Sequence, residues 1–167
     1  MASHLEIERK FLLKAMPDKK PSEIVEIDQW YWKNNKGIWE RARSWNSSTE
    51  GLSWIHTVKK TLSKGVSLED EKLMTKEEFN QFVERCKLYR KDSRFISKER
   101  WVYPNYDNEL YWEVDKFNNG HHLIIAEIEI PKKSFKIVMP NFIKDKFLLE
   151  VTGIKKFSNR NLSNVFK

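Results

Sequence analysis

Three ionisable groups, Glu6, Glu8 and Lys10, occupy alternate positions in the run Leu5-Glu6-Ile7-Glu8-Arg9-Lys10-Phe11. Alternate side chains of a β-strand share a face, so this spacing sets two carboxylates and an ammonium on one side, with Leu5, Ile7 and Phe11 on the other. The same spacing returns in Arg41 with Arg43, in Thr57 with Lys59, in Glu69 with Glu71, in Lys98 with Arg100, in Glu113 with Asp115 and in Glu127 with Glu129. One such pair describes any solvated strand face. Seven runs are different, because large apolar residues such as Trp39, Val58, Ile96, Trp112, Val114, Ile128 and Ile130 stand beside or between the charges.

The two charge signs call for two kinds of ligand. Lys10, Arg41, Arg43, Lys59, Lys98 and Arg100 form a set of cations suited to a polyanion, with arginine offering a planar, bidentate fork and lysine a point charge. Glu6, Glu8, Glu69, Glu71, Glu113, Asp115, Glu127 and Glu129 supply hard oxygen ligands of the kind Mg²⁺ or Mn²⁺ prefers. Ions buried without such partners would be strongly destabilising.

A closed antiparallel barrel positions both sets. Closure removes the sheet edges, inward and outward residues alternate on every strand, and a wide barrel holds a polar interior while helices and aromatics cover its outside. The expected fold is α+β but mainly β, in one domain over residues 1–167. Turn signals divide the strands: Met16-Pro17-Asp18-Lys19-Lys20-Pro21, Asn34-Asn35-Lys36-Gly37, a polar loop from Ser44 to Ser53, Ser63-Lys64-Gly65, Pro104 to Asn108, and Asn118-Asn119-Gly120. One helix interrupts them. Thr75-Lys76-Glu77-Glu78 is a capping box, and Phe79, Phe82, Val83, Cys86, Leu88 and Tyr89 follow at helical spacing, predicting an amphipathic helix outside the barrel. A short second helix is expected within Pro140 to Phe147, and a C-terminal one capped by Ser158 and ending near Phe166.

Other features exclude classes. Cys86 is the only cysteine, so no intrachain disulfide forms, and it reads as a small core residue. Residues 1 to 14 carry charges throughout, without the apolar stretch of a signal peptide, and no run reaches the length of a membrane span; an intracellular, cytoplasmic protein is expected. The net charge of +7 favours anionic partners, and seven tryptophans and ten phenylalanines offer faces for stacking. Lys132-Lys133 and Lys155-Lys156 are too short to make a basic tract, and nucleic acid is not the expected main ligand. His121 and His122, adjacent on a strand, would point apart, and His56 has no partner at ligand spacing. No phosphate-binding glycine loop, dinucleotide fingerprint or His-Glu-x-x-His helix is present.

The arrangement resembles the CYTH superfamily of triphosphate tunnel metalloenzymes over nearly the full chain. Glu6, Glu8 and Lys10 match its N-terminal Glu-x-Glu-x-Lys, and Arg41 and Arg43 match its Arg-x-Arg strand. Lys59, Glu69 with Glu71, Lys98 with Arg100, Trp112-Glu113-Val114-Asp115 and Ala126-Glu127-Ile128-Glu129 are similar to later segments in the same order. Glu150-Val151-Thr152 and Phe157-Ser158-Asn159 look like the C-terminal segment, with Phe157 where a tyrosine is usual.

The resemblance implies an eight-stranded antiparallel tunnel that binds a linear triphosphate and one or two Mg²⁺ or Mn²⁺ ions. Carried over by position, Lys10, Arg41, Arg43, Lys59, Lys98 and Arg100 bind substrate, Asp115, Glu127 and Glu129 form the principal metal site, and Glu6 and Glu8 face a second metal or the attacking water. Glu6, Glu8 and Lys10 are the expected catalytic set, with Glu8 favoured over Glu6 as proton acceptor. The implied reaction is hydrolysis of the terminal phosphoanhydride of inorganic triphosphate or a nucleoside triphosphate, with the 5′-triphosphate of RNA a further substrate of the class. The alternatives are a class IV-type adenylate cyclase and a non-catalytic binder of nucleotides or RNA triphosphate. A terminal helix closing one mouth would make Lys155, Lys156 and Arg160 lid contacts.

Overall fold

Along β1 (Ala2–Leu13) the charged and apolar residues alternate as the period-two pattern requires, and the first half of this strand faces a different neighbour from the second. The computed structural model describes residues 2–105, 107–118 and 122–165, with side chains for all of these but residues 2 and 165. The strands that follow are β2 (Glu23–Lys33), β3 (Trp39–Ser47), β4 (Gly51–Ser63), β5 (Val66–Met74), β6 (Ser93–Asn105), β7 (Leu110–Phe117) and β8 (Ile124–Glu129). They pair antiparallel in the order β6-β2-β3-β4-β5-β1-β8-β7, and β7 returns to β6, which closes an eight-stranded barrel. Two short strands attach outside this ring: β9 (Phe147–Glu150) to β1 and β10 (Asn164–Val165) to β6.

β1 forms the seam. Its residues from Ala2 to Ile7 pair with β5, and those from Glu8 to Leu13 pair with β8. Gly65, in the β4–β5 turn, makes the crossing possible. It lies at φ +70°, and a Cβ there would meet the Glu8 carbonyl oxygen at 2.7 Å and the Thr152 methyl at 2.8 Å. Only glycine allows this close backbone approach without strain.

The outer face of the barrel carries two apolar layers. Phe11, Trp112, Val114, Ala126 and Ile128 pack with Tyr103 and Ile143 beneath the segment that contains α2 (Asn141–Lys144). On the opposite side α1 (Lys76–Leu88) lays Phe82 and Cys86 against Ala42, flanked by Trp30, Trp32 and Met74. Thr75 Oγ1 accepts from the Glu78 amide and the Glu78 carboxylate accepts from the Thr75 amide, so the capping box forms as expected. Leu88 and Tyr89, assigned to the apolar face, are exposed instead, because the helix ends at Leu88 and turns away from the sheet.

Several sequence boundaries move. The loop expected from Ser44 to Ser53 shrinks to residues 48–50, since β3 and β4 pair as far as Ser47 and Gly51. The second helix is a single turn, after which the chain extends into β9. Ser158 caps α3 (Asn159–Leu162), as read from the sequence, but the chain then extends as β10 rather than remaining helical toward Phe166. Phe166, the Asn119-Gly120 turn and His121 lie outside the described residues. Among the described residues no helix is long and apolar enough to cross a membrane.

Inside the barrel one end is sealed. Tyr31, Ile96, Phe117, Ile125 and Leu12 from five strands meet Leu162 of α3 and Phe157, filling the interior with an apolar plug. Val25, Ile27 and Val102 continue the apolar lining along β2 and β6 with Trp45, and the remaining interior is the charged space described next.

Candidate active site

The inward residues above the plug line a cavity of about 710 Å³. Lys10, Glu8, Glu6 and His4 descend one wall along β1, and Arg41, Arg43 and Trp45 descend another along β3. Lys59, Glu69, Glu71, Lys98, Arg100, Glu113, Glu127 and Glu129 complete the ionic lining. The period-two reading therefore brings all six expected cations into one space, together with every expected carboxylate but Asp115. The cavity opens at the end bearing His4, Leu73, Glu109 and Tyr111, all of them exposed.

Depth separates these groups. At the floor Asp115 is fully buried, and its two oxygens take Arg100 Nε at 2.7 Å, Arg100 Nη2 at 2.9 Å and Lys98 Nζ at 2.5 Å. Arg100 also reaches Glu113 at 2.5 Å and Glu127 at 3.4 Å, which uses its donors on protein carboxylates. Lys98 adds a bond to Asn159 Oδ1 at 3.2 Å. Burial and the neighbouring Arg100 push the Lys98 ammonium down to about 8 against the pull of Asp115. Burial alone would raise Asp115, but Arg100 and Lys98 hold its carboxyl below the ordinary range. The geometry thus gives Asp115 a task other than the metal binding expected of it. It anchors the two cations of β6, and it is absent from the lining because they cover both of its oxygens.

The β3 wall is different. Arg41 donates to Thr57 Oγ1 at 3.2 Å and Arg43 to Glu71 at 3.0 Å, yet the Nε of each arginine is buried with no hydrogen-bond partner. Burial and the adjacent Arg41 push Arg43 down to about 10 against the pull of Glu71, whereas Arg41, which burial alone would lower, is held above its ordinary value by Tyr31 and Glu69. Gln29, directly across from Arg43 on β2, is fully buried as well; its Nε2 donates to Tyr31 Oη at 3.3 Å and its Oε1 has no partner.

The carboxylates crowd on the facing side. Lys10 Nζ lies 3.3 Å from Glu127 and 3.6 Å from Glu8, while Thr152 Oγ1 takes the Lys10 amide at 2.9 Å and fixes the strand. Burial would lower the Lys10 ammonium, but Glu127 and Glu8 hold it above its ordinary value. Burial and the neighbouring Glu127 push the Glu8 carboxyl up to about 8. Glu113 and Glu129 are raised too, by burial and by other carboxylates around them. Glu129 is exposed at the mouth, where it faces Glu8 across the β1–β8 pairing. Burial alone would raise Glu127, but Lys10, Lys98 and Arg100 hold it well below the ordinary range, with its buried Oε1 3.3 Å from the Lys10 ammonium. Ionised Glu127 beside the raised Glu8, Glu113 and Glu129 is a set of oxygen donors that a hard divalent cation fits.

Sequence reasoning missed Gln29, Trp45, His4 and Asn159, each of which lines the cavity. His4, Gln29 and Trp45 do continue the period-two register of strands already identified, so extending it outward would have found them. His56 bonds Glu40 at 3.0 Å on the outer face, away from the cavity. Of the expected lid contacts, Lys156 covers the Phe157 ring and Arg160 the Trp39 ring, while Asn159 rather than a lysine reaches the cavity.

The fold is shared with solved structures. The inorganic triphosphatase NE1496 matches 95% of this chain and 93% of its own, with a TM-score of 0.58 at 23% identity. A Bacillus halodurans protein described provisionally as an adenylate cyclase matches over 87% and 98%, with a TM-score of 0.56 at 13% identity. A conserved hypothetical protein of Pyrococcus furiosus matches over 84% of both chains, with a TM-score of 0.52 at 20% identity. No family model and no curated protein matches the sequence. What is shared is the architecture, a closed antiparallel barrel.

Proposed function

We propose that this cavity binds a linear triphosphate with a divalent cation and hydrolyses its terminal phosphoanhydride. The observation that carries this reading is the pair Arg41 and Arg43, two arginines that line a space also bearing carboxylates and whose buried Nε atoms have no hydrogen-bond partner among the described residues. Buried charged donors left without acceptors are costly, and phosphate oxygens are the acceptors their planar geometry fits best.

In this reading Arg41 and Arg43 grip two successive phosphates, Lys59 neutralises a third, and Lys10 stands between Glu8 and Glu127 where it reaches the reacting phosphoryl oxygens. Lys98 and Arg100, held by Asp115, supply fixed positive potential from the floor rather than a free grip. Glu127, Glu129, Glu6 and Glu8 would hold Mg²⁺ or Mn²⁺. The cation there supplies charge neutralisation on the phosphates and a more acidic water. Burial and Glu127 push the Glu8 carboxyl up to about 8, so it would take the proton from the attacking water only once a bound cation has lowered it and left it ionised. Positioning and electrostatics are what phosphoryl transfer requires.

A nucleotide substrate has its own support. The cavity is of the size that holds a small organic ligand rather than an inorganic ion alone, and Trp45, Ile55, Leu73 and Tyr111 line its outer part. The same grip on a nucleoside triphosphate would serve a cyclase, with the ribose hydroxyl in place of water.

The test is a product screen on inorganic triphosphate, ATP, GTP, thiamine triphosphate and triphosphorylated RNA with each metal. Orthophosphate release supports hydrolysis. Pyrophosphate with a cyclic nucleotide would replace it by cyclisation, and tight binding without turnover would leave a triphosphate-binding protein.

A further inference from the structure

At the mouth of the cavity stands a second donor set. His4 and Glu6 are two apart on β1, and Glu69 of β5 lies directly across from His4 in the strand pairing. One imidazole nitrogen and one oxygen from each carboxylate all lie within 4.8 Å of one another. Ligand atoms around a single divalent ion are about 3 to 4.5 Å apart, given bonds of about 2.0 to 2.3 Å, so only small side-chain adjustments separate this cluster from a coordination shell. Glu69 is buried, Glu6 half-buried and His4 exposed, which gives an entering ion both a fixed wall and a path from solvent.

Positive charge already occupies this place. Lys59 Nζ lies 2.6 Å from Glu6 Oε1 and 3.1 Å from Glu69 Oε1, an ammonium seated between two of the three donors. Glu129 faces the same group, while Arg41 and Arg43 act on Glu69 together with Lys59, so an entering ion must in part displace cations that already balance these carboxylates.

We propose that His4, Glu6 and Glu69 form a mouth site for a divalent transition ion of the zinc class, and that its occupancy releases Lys59 from the two carboxylates into the cavity. The imidazole decides the class. Nitrogen ligands suit Zn²⁺, Co²⁺ and related ions, whereas Mg²⁺ keeps to oxygen. The destination of Lys59 on a phosphate rests on the proposed function; the ion site stands without it.

Calorimetric titration of Zn²⁺ and of Mg²⁺ into the full chain, with no substrate present, tests the proposal. His4→Gln, at an exposed position outside the core, is expected to weaken one Zn²⁺ binding event by about tenfold or more while leaving Mg²⁺ binding as in the unaltered protein. Lys59→Met keeps the apolar stem and removes the competing ammonium, so the same Zn²⁺ event should tighten. An unchanged Zn²⁺ isotherm in His4→Gln, or an equal loss for both ions, would overturn the site. Weaker Zn²⁺ binding in Lys59→Met would overturn the exchange. Absence of triphosphate hydrolysis would bear on the function alone and leave these isotherms standing, so the two readings fail separately.

Discussion

The two cationic walls of the barrel look alike in sequence and differ in kind. Lys98 and Arg100 on β6 are closed on Asp115, Glu113 and Glu127, with their hydrogen-bonding capacity largely spent within the protein. Arg41 and Arg43 on β3 keep buried Nε donors with no hydrogen-bond partner among the described residues. The first wall is architecture; the second is a site. What separates them is one fully buried acid, Asp115, placed opposite Arg100 by the β6–β7 register with no counterpart on β4 opposite Arg41 or Arg43, where Thr57 and Ile55 stand.

The largest expected effect breaks the first wall. Asp115→Ala leaves two buried cations without their acceptor and should cost about 3 to 5 kcal/mol of folding stability, the range for removing one member of a buried ion pair. Chemical denaturation measures it, and a loss below about 1 kcal/mol would mean that solvent or Glu127 replaces Asp115 and that the walls are not so different. Next in size, Arg43→Ala should weaken binding of inorganic triphosphate by about 1.5 to 3 kcal/mol, the worth of a charge-assisted hydrogen bond, with a much smaller loss of folding stability than Asp115→Ala because relief of the crowding with Arg41 offsets the lost Glu71 contact. Calorimetry and melting of one variant read both, and a strong destabilisation would move Arg43 into the class of Arg100.

A third effect, read as a slope with pH, concerns the carboxylates between the walls. Glu8 is pushed up to about 8 from an ordinary 4.5, so the folded protein holds a proton there that the unfolded chain has already lost. Its contribution to stability is therefore full below pH 4.5 and declines as pH rises toward about 8. Glu8→Gln should flatten that part of the metal-free stability profile, and an identical slope in the variant would show that another group sets it.

Much of this was legible in the residues and some was not, for a physical reason. Alternation along a strand fixes which face a side chain takes, so Glu6, Glu8, Lys10, Arg41, Arg43 and Lys59 could be assigned inward before any fold was known. Closure of the barrel followed from needing both faces covered. Depth and partners follow from cross-strand register, which the spacing within one strand does not contain. Asp115 and Glu127 therefore read as equivalent ligands, although Asp115 is closed on two cations at 2.5 to 2.9 Å and Glu127 meets Lys10 and Arg100 only at 3.3 and 3.4 Å. Glu129 reads as an interior acid and lies exposed at the mouth for the same reason. The plug of Tyr31, Ile96, Phe117 and Ile125 was hidden too, because apolar residues that share the charged face look like interruptions of the pattern.

The central claim is that the β3 arginines await an anion inside the barrel. A crystal structure with inorganic triphosphate and Mn²⁺ tests it most directly. The account predicts phosphate oxygens within hydrogen-bonding distance of Arg41 Nε and Arg43 Nε, with the Asp115 pairs to Lys98 and Arg100 intact beneath them. Triphosphate bound on the outer surface, or held at the floor after Asp115 has released its cations, would contradict it.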